Sequence, residues 1–144
     1  MLRGSSHAKV DDKGRLKIPA LFKGYLEETY GRDFFVTSYN AEFVRLYPMP
    51  VWIEMEKKLV ASSSLGPEMA RFRSVVNYYG QSATMDDQGR VLIHPTLRQK
   101  SGTNGGVIVI GNLTYLDIWN REKFESQVVH PTDDDLRVLS DRGI

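Results

Sequence analysis

A chain of 144 residues with 41% apolar side chains is long enough for one domain with its own core, and 19 basic against 18 acidic residues leave it almost neutral. The absence of cysteine excludes disulfides, thiolate catalysis and cysteine-held zinc. The longest aliphatic run, residues 107–110, is far too short to cross a bilayer, and no apolar stretch follows a basic one at the N-terminus, so a cytoplasmic protein is expected.

The charge is uneven. Residues 1–23 carry Arg3, Lys9, Lys13, Arg15, Lys17 and Lys23 against only Asp11 and Asp12, whereas Asp133-Asp-Asp135 forms a short acidic run. A locally basic module favours nucleic acid modestly; a solvated face with scattered lysines explains the same pattern equally well.

In chain order the elements fall into two similar halves. Residues 6–10 and 15–18 are expected as short strands around Asp11-Asp-Lys-Gly-Arg15, because an Asp-x-x-Gly turn supplies a capping carboxylate and a glycine free to take positive φ. Gly4-Ser-Ser-His7 could pass for an expression-tag scar but is read in preference as a genuine start. Pro19 opens a short helix with Leu21, Phe22, Tyr25 and Leu26 on one face and Gly31 near its end. Residues 34–37 and 43–47 read as strands joined by a turn at Tyr39-Asn40.

A helical insert follows. Pro50 starts one helix with Val51, Trp52, Met55 and Leu59 on one face, Ser62-Ser-Ser64 and Gly66 break it, and Pro67 starts another carrying Met69, Phe72, Val75, Val76 and Tyr79. These stripes fit a core or a subunit interface better than a cofactor pocket.

The second half repeats the first. Asp86-Asp-Gln-Gly-Arg90 lies between strands at 81–85 and 91–93, Pro95 starts a short helix carrying Leu97, and residues 102–106 form a flexible stop. Strands are expected at 107–111 and 115–119. A helix from Asn120 should turn Phe124 and Val128 to the core, and Thr132 with Asp135 forms a capping box for a last helix. The match between copies continues into the flanks (Leu16, Ile18 and Pro19; Val91, Ile93 and Pro95) with His94 as one extra residue, which marks an internal duplication. Neither copy can bury a core alone, so the halves should fold onto each other about a pseudo-twofold axis.

The chemistry of enzymes is missing. There is no phosphate-cradling glycine loop and no Gly-x-Ser-x-Gly elbow, and His7, His94 and His130 have no partners at metal-ligand spacing. No catalytic residue, metal ligand or cofactor can be nominated. The doubled motif reads in two ways. Asp11 and Asp86, with Gly14 and Gly89, are best read structurally, the carboxylates satisfying turn N–H groups or pairing with an arginine of either copy. Arg15, with Lys13 beside it and Arg3 and Lys9 nearby, reads as a forked donor for phosphates or guanine edges, and Arg90, beside Gln88, as a weaker one.

Met1-x-Arg-Gly4, Asp11-Asp-Lys-Gly-Arg15 with Ile18-Pro19, Leu46-Tyr47-Pro48, Asp86-x-x-Gly-Arg90 and Leu116-x-Ile-Trp119 closely resemble the MraZ family of the AbrB/SpoVT superfamily, over almost the whole chain. The resemblance implies an α+β, β-rich fold: a pseudo-twofold swapped-hairpin AbrB-like β-barrel formed by two internal repeats, with helices between and after them. In that arrangement repeat one covers 5–48, the helical insert 49–79, repeat two 80–129 and a C-terminal helix 130–144. It also implies a nucleoid-associated transcription regulator that assembles with itself into a ring, an octamer or dodecamer, and binds double-stranded DNA at repeated boxes upstream of the division and cell-wall gene cluster. It needs no small-molecule substrate or membrane. In that reading Arg15 is the leading DNA contact, Arg3 and Lys13 fall on matching basic positions, and Asp11, Asp86 and Arg90 are motif residues. The alternative from another class is a ring-forming scaffold that binds protein partners without specific DNA contacts. A toxin-binding antitoxin is a third option, disfavoured because only about a dozen residues follow Pro131.

Overall fold

The computed structural model describes residues 1–61 and 66–144; the expected break at Ser62-Ser-Ser64 lies outside the described residues. The first half runs β1 (Ser5–Val10), β2 (Arg15–Lys17), α1 (Ala20–Tyr30), β3 (Asp33–Thr37) and β4 (Val44–Pro48). Two insert helices follow, α2 (Met49–Ala61) and α3 (Pro67–Tyr78). The second half runs β5 (Gln81–Thr84), β6 (Arg90–Leu92), α4 (Pro95–Ser101), β7 (Gly105–Asn112), β8 (Tyr115–Asn120) and α5 (Arg121–Ser126), and α6 (Asp133–Asp141) closes the order.

All eight strands join one antiparallel sheet in the order β5-β3-β4-β8-β7-β1-β2-β6. Its outer strands, β5 and β6, are joined by the second Asp-x-x-Gly turn, whose Asp86 N–H donates to the Arg90 carbonyl at 2.9 Å, so the sheet curls into a nearly closed barrel. The halves exchange strands. β1 pairs with β7 of the other half, from Ser5 opposite Ile110 to Val10 opposite Gly105, and β5 pairs with β3, from Asp33 opposite Thr84 to Val36 opposite Gln81. This is the swapped-hairpin, AbrB-like arrangement, in which each half completes the other's sheet. The tag-like Ser5-Ser-His7 stretch is thus an integral part of β1.

Two pairings lie on the pseudo-twofold axis. Leu16 faces Val91, its equivalent 75 positions later, at the centre of the β2–β6 ladder. Arg45 faces Asp117 at the centre of the β4–β8 ladder, 72 positions later, the offset that also relates Tyr47 and Trp52 to Trp119 and Phe124.

Inward-facing residues from both halves form one core: Val10, Leu16, Ile18, Phe22, Leu26, Phe34, Val36, Leu46, Val91, Ile93, Leu97, Val107, Val109, Leu116 and Ile118 are all buried. Each such side chain contributes about 1.5–3 kcal/mol relative to exposure, which is why period-two burial dominates these short strands. A smaller cluster of Tyr47, Trp52 and Val76 seats the insert on the barrel, with Trp52 stacked on Phe35 at 4.6 Å and the buried Thr37 hydroxyl donating to the Val76 carbonyl at 2.6 Å.

Three expectations are corrected. Leu21 is 58% exposed, because α1 turns only Phe22 and Leu26 fully inward. Val128 does not reach the core: α5 ends at Ser126, two residues short, and Val128 is 42% exposed. Residues 102–106 are only partly a stop, since Gly102 takes a left-handed conformation as the C-cap of α4 while Gly105 and Gly106 already pair with Val10 and Lys9.

Candidate nucleic-acid interface

Each doubled motif folds into the same hydrogen-bonded turn. Asp11 Oδ1 accepts from the backbone N–H of Lys13 (3.0 Å) and of Arg15 (2.9 Å), and its Oδ2 accepts from Arg15 Nε (2.8 Å). Asp86 does the same with Gln88 N–H (2.9 Å), Arg90 N–H (2.9 Å) and Arg90 Nε (2.8 Å). Each aspartate therefore pairs with the arginine of its own copy. Gly14 and Gly89, at φ 83° and 75°, close the reversals in a conformation that a side chain resists. The Arg15 backbone N–H is the largest influence on Asp11; with the guanidinium and Lys13 N–H it outweighs desolvation and holds the carboxyl below its ordinary 3.8. Asp86 is lowered in the same way, first by the Arg90 N–H.

This geometry sets the arginines rather than leaving them loose. With Nε held by the aspartate, the two terminal nitrogens of each guanidinium are carried at a fixed angle from a short strand, and both side chains are part-exposed. In the β2–β6 ladder Lys17 faces Arg90 and Arg15 faces Leu92. Period-two alternation buries Leu16 and Val91 and turns Arg15, Lys17, Arg90 and Leu92 to the outer surface. Arg15 and Arg90 are diagonal neighbours there, roughly 7–8 Å apart.

Beside the ladder lies an open groove of about 670 Å³ whose lining includes Lys9, Arg15, Lys17, Arg90 and Arg98 against Asp11 and Asp12. Three of the expected basic residues (Lys9, Arg15 and Arg90) are brought together in it. Lys13 stands exposed on the turn itself. Arg3 is not brought in: it precedes β1, and that six-residue strand, about 20 Å long, separates it from the turn. Lys17, noted in the sequence only as part of the basic N-terminal module, also lines it, as do Arg98, Gln99 and Asn104, which the sequence did not single out. Arg98 donates from Nη1 to the Ile93 carbonyl at 2.9 Å, anchored by α4, whose N-cap is His94, with Nδ1 accepting from Thr96 N–H at 3.2 Å. In the sequence Arg98 stands one residue after the buried Leu97, within the seven-residue helix that follows the second motif.

The two hairpins are not electrostatic equals. At the 75-residue offset Lys9, Lys13 and Lys17 of the first copy are matched by Thr84, Gln88 and Leu92 of the second. Arg32, the arginine beside the second turn, is engaged with it, donating to the Asp86 carbonyl at 2.7 Å and pairing with Asp87 at 3.6 Å. At these three matched positions the lysines lie on the first hairpin alone, while Lys23 and Arg32 come to the second turn from outside its hairpin. Among the described residues there is no group of three or more potential metal-ligating side chains, and no helix is long and apolar enough to cross a membrane.

Comparison with known proteins gives this architecture a lineage. The chain is 44% identical over 147 residues to a protein of Koribacter versatilis and 40% identical over 146 residues to one of Acidobacterium capsulatum, covering 100% of both chains in each case. Both relatives bear the name "Transcriptional regulator MraZ". The chain belongs to the MraZ family. The family model described as "MraZ protein, putative antitoxin-like" matches residues 80–141, a span that includes the second Asp-x-x-Gly turn. A relative of the same name from Psychromonas ingrahamii is 31% identical over 137 residues, covering 94% of this chain and 90% of its own. In this MraZ-family chain, then, the duplicated turn, the exchanged strands and the one-sided basic groove occur together.

Proposed function

We propose that this chain is a transcription regulator that binds double-stranded DNA through its first hairpin. In this reading it acts at repeated short boxes upstream of the division and cell-wall gene cluster, as a nucleoid-associated ring of eight or twelve subunits. The names of its relatives support regulation of transcription, and the single observation that carries the DNA reading is the asymmetry of charge between two otherwise matching hairpins. A structural turn has no need of lysine at three positions where its duplicate has threonine, glutamine and leucine; a polyanion does.

The major groove of DNA admits a two-stranded β-ribbon, and the β2–β6 ladder is such a ribbon with its arginines braced. Arg15, aimed by Asp11, serves as a forked donor to a guanine edge or phosphate, while Lys9, Lys13 and Lys17 contact the backbone without reading sequence. Arg90 and Arg98 border the same surface, and Arg3, at the far end of β1, can meet only a more distant part of the duplex. One hairpin per subunit binds weakly; repetition around a ring raises the effective concentration of each next contact, so several boxes are held well and one box poorly. The reading requires no cofactor, metal or small-molecule substrate.

Electrophoretic mobility with the DNA upstream of the division cluster, against a shuffled duplex of equal length, tests this. Retention of the first at lower protein concentration, growing with the number of boxes, is expected. Equal retention of both would defeat specific binding and leave the scaffold reading.

A further inference from the structure

The chain carries a helix without a seat and a seat without a helix. Every residue of α6 is exposed, including Leu136 (52%), Val138 (51%) and Leu139 (36%). Nine residues are too few for a stable isolated helix, even with the capping box in which the Thr132 hydroxyl accepts from Asp135 N–H and the Asp135 carboxylate from Thr132 N–H. Such a helix depends on packing its apolar side chains against something. Elsewhere, an apolar groove of about 420 Å³ runs along α2 and the start of β8, walled by Tyr30, Tyr47, Val51, Met55 and Tyr115, with Lys58 at its edge.

We infer that α6 of one subunit docks into the α2–β8 groove of a second copy, head to tail, as the contact that propagates the assembly. This rests on the self-assembly reading above and deepens it. The charges complement each other. Glu54 on the groove is taken by Lys57 at 2.9 Å, and Lys58 has no ion-pair partner among the described residues. On the helix Asp134 pairs with Arg137 and Asp135 belongs to the capping box, which leaves Asp133 at its start and Asp141 at its end as carboxylates for Lys58. The segment between α5 and α6 is exposed throughout and outside regular structure, so α6 stands clear of its own barrel. Each copy carries both helix and groove, so in the head-to-tail mode the contact is heterologous and ends only where its rotation closes a ring.

The natural absence of cysteine makes the test clean. Full-length Leu136→Cys chains, mass-tagged, are mixed with Met55→Cys chains, allowed to exchange subunits and oxidised. Mixed disulfides at about twice the 16.4 kDa chain mass, exceeding those between like variants, are expected. Leu136→Asp should raise the concentration for half-assembly roughly tenfold or more, because a carboxylate is disfavoured in an apolar groove, with no change in the barrel's melting temperature. An intact assembly without mixed disulfides would overturn the docking mode while leaving self-assembly in place. A disulfide within single chains of the double variant at high dilution would show α6 folding onto its own groove and would also overturn it. A monomer mass for the unsubstituted chain by light scattering at micromolar concentration would remove the assembly reading, and this inference with it.

Discussion

Replacing Asp117 by leucine leaves the Arg45 guanidinium in the barrel wall without its counter-ion. The pair is bidentate, with Nε to Oδ1 at 2.8 Å and Nη2 to Oδ2 at 3.2 Å, and the side chains are only 16% and 11% exposed. Burial opposes the arginine's charge, but the hydrogen bonds that its guanidinium donates to Asp117, its hydrogen bond with Tyr47 and the attraction of Asp117 outweigh it and hold the pKa above its ordinary value. The Tyr115 ring centroid lies 4.1 Å from the guanidinium carbon, with Tyr39 and Phe43 at 5.3 Å, so water has little access to stand in. Breaking a buried pair costs about 3–5 kcal/mol, and the residual exposure here places Asp117→Leu near the lower end. For a chain of this size a loss of about 3 kcal/mol lowers Tm by about 6–12 °C. Removing both charges, Arg45→Met with Asp117→Leu, should recover most of that loss, since apolar replacement of a whole buried pair is close to neutral. Thermal and urea denaturation of the two single variants and the double variant close the cycle. A single-variant loss below about 1 kcal/mol, the worth of a surface pair, or a double variant no better than Asp117→Leu would refute the argument that this charge is desolvated.

For the proposed interface, Arg15→Ala should weaken specific DNA binding by about 1–3 kcal/mol per engaged subunit with little change in Tm, and Lys13→Ala should weaken specific and shuffled DNA alike and flatten the salt dependence, both readable by fluorescence anisotropy across a salt series. A destabilised but still DNA-competent Arg15→Ala would mean that the structural and binding parts of the motif have been exchanged. Asp11 and Asp86 have folded-state pKa values below their ordinary 3.8, so their contribution to stability is full above that value and falls as pH drops through the lowered ones; Asp86→Asn should melt earlier than the parent at pH 7, and the gap should narrow below about pH 4. A gap independent of pH would separate the turn's stability from the charge. Gly14→Ala should destabilise by about 1–2 kcal/mol through its left-handed backbone and should also push Arg98 aside, because the new Cβ would overlap the Arg98 guanidinium and sit 3.0 Å from the Ile93 carbonyl; Gly89→Ala carries the same backbone cost but meets only the flexible end of Lys23. Chemical denaturation of both variants should therefore show Gly14→Ala as the more damaging.

The doubled motif made the fold legible because its chemistry is local. An aspartate that can reach N–H groups two and four residues ahead, and a glycine three residues on, specify a turn without help from the rest of the chain. The proline-led helices and the Thr132 capping box were readable for the same reason. Leu21 and Val128 misled because apolar spacing gives a helix face but not where neighbouring elements stop covering it. Arg98 escaped notice because its place in the groove depends on the strand exchange that brings α4 beside the first hairpin, a tertiary event that no short window records. The opposition of Arg45 and Asp117 was hidden likewise: each charge interrupts an apolar strand, and only the β4–β8 register turns two interruptions into a pair.

That register also fixes which half can combine with which. If the repeats were separate polypeptides, any symmetric dimer would set a residue on the axis against its own copy. Two first halves would oppose arginine to arginine, and two second halves aspartate to aspartate. Only the mixed combination satisfies both positions. Joining the copies in one chain thus permits a central contact that identical partners cannot make, and a barrel rebuilt from two copies of either half would set like charges against each other at its centre.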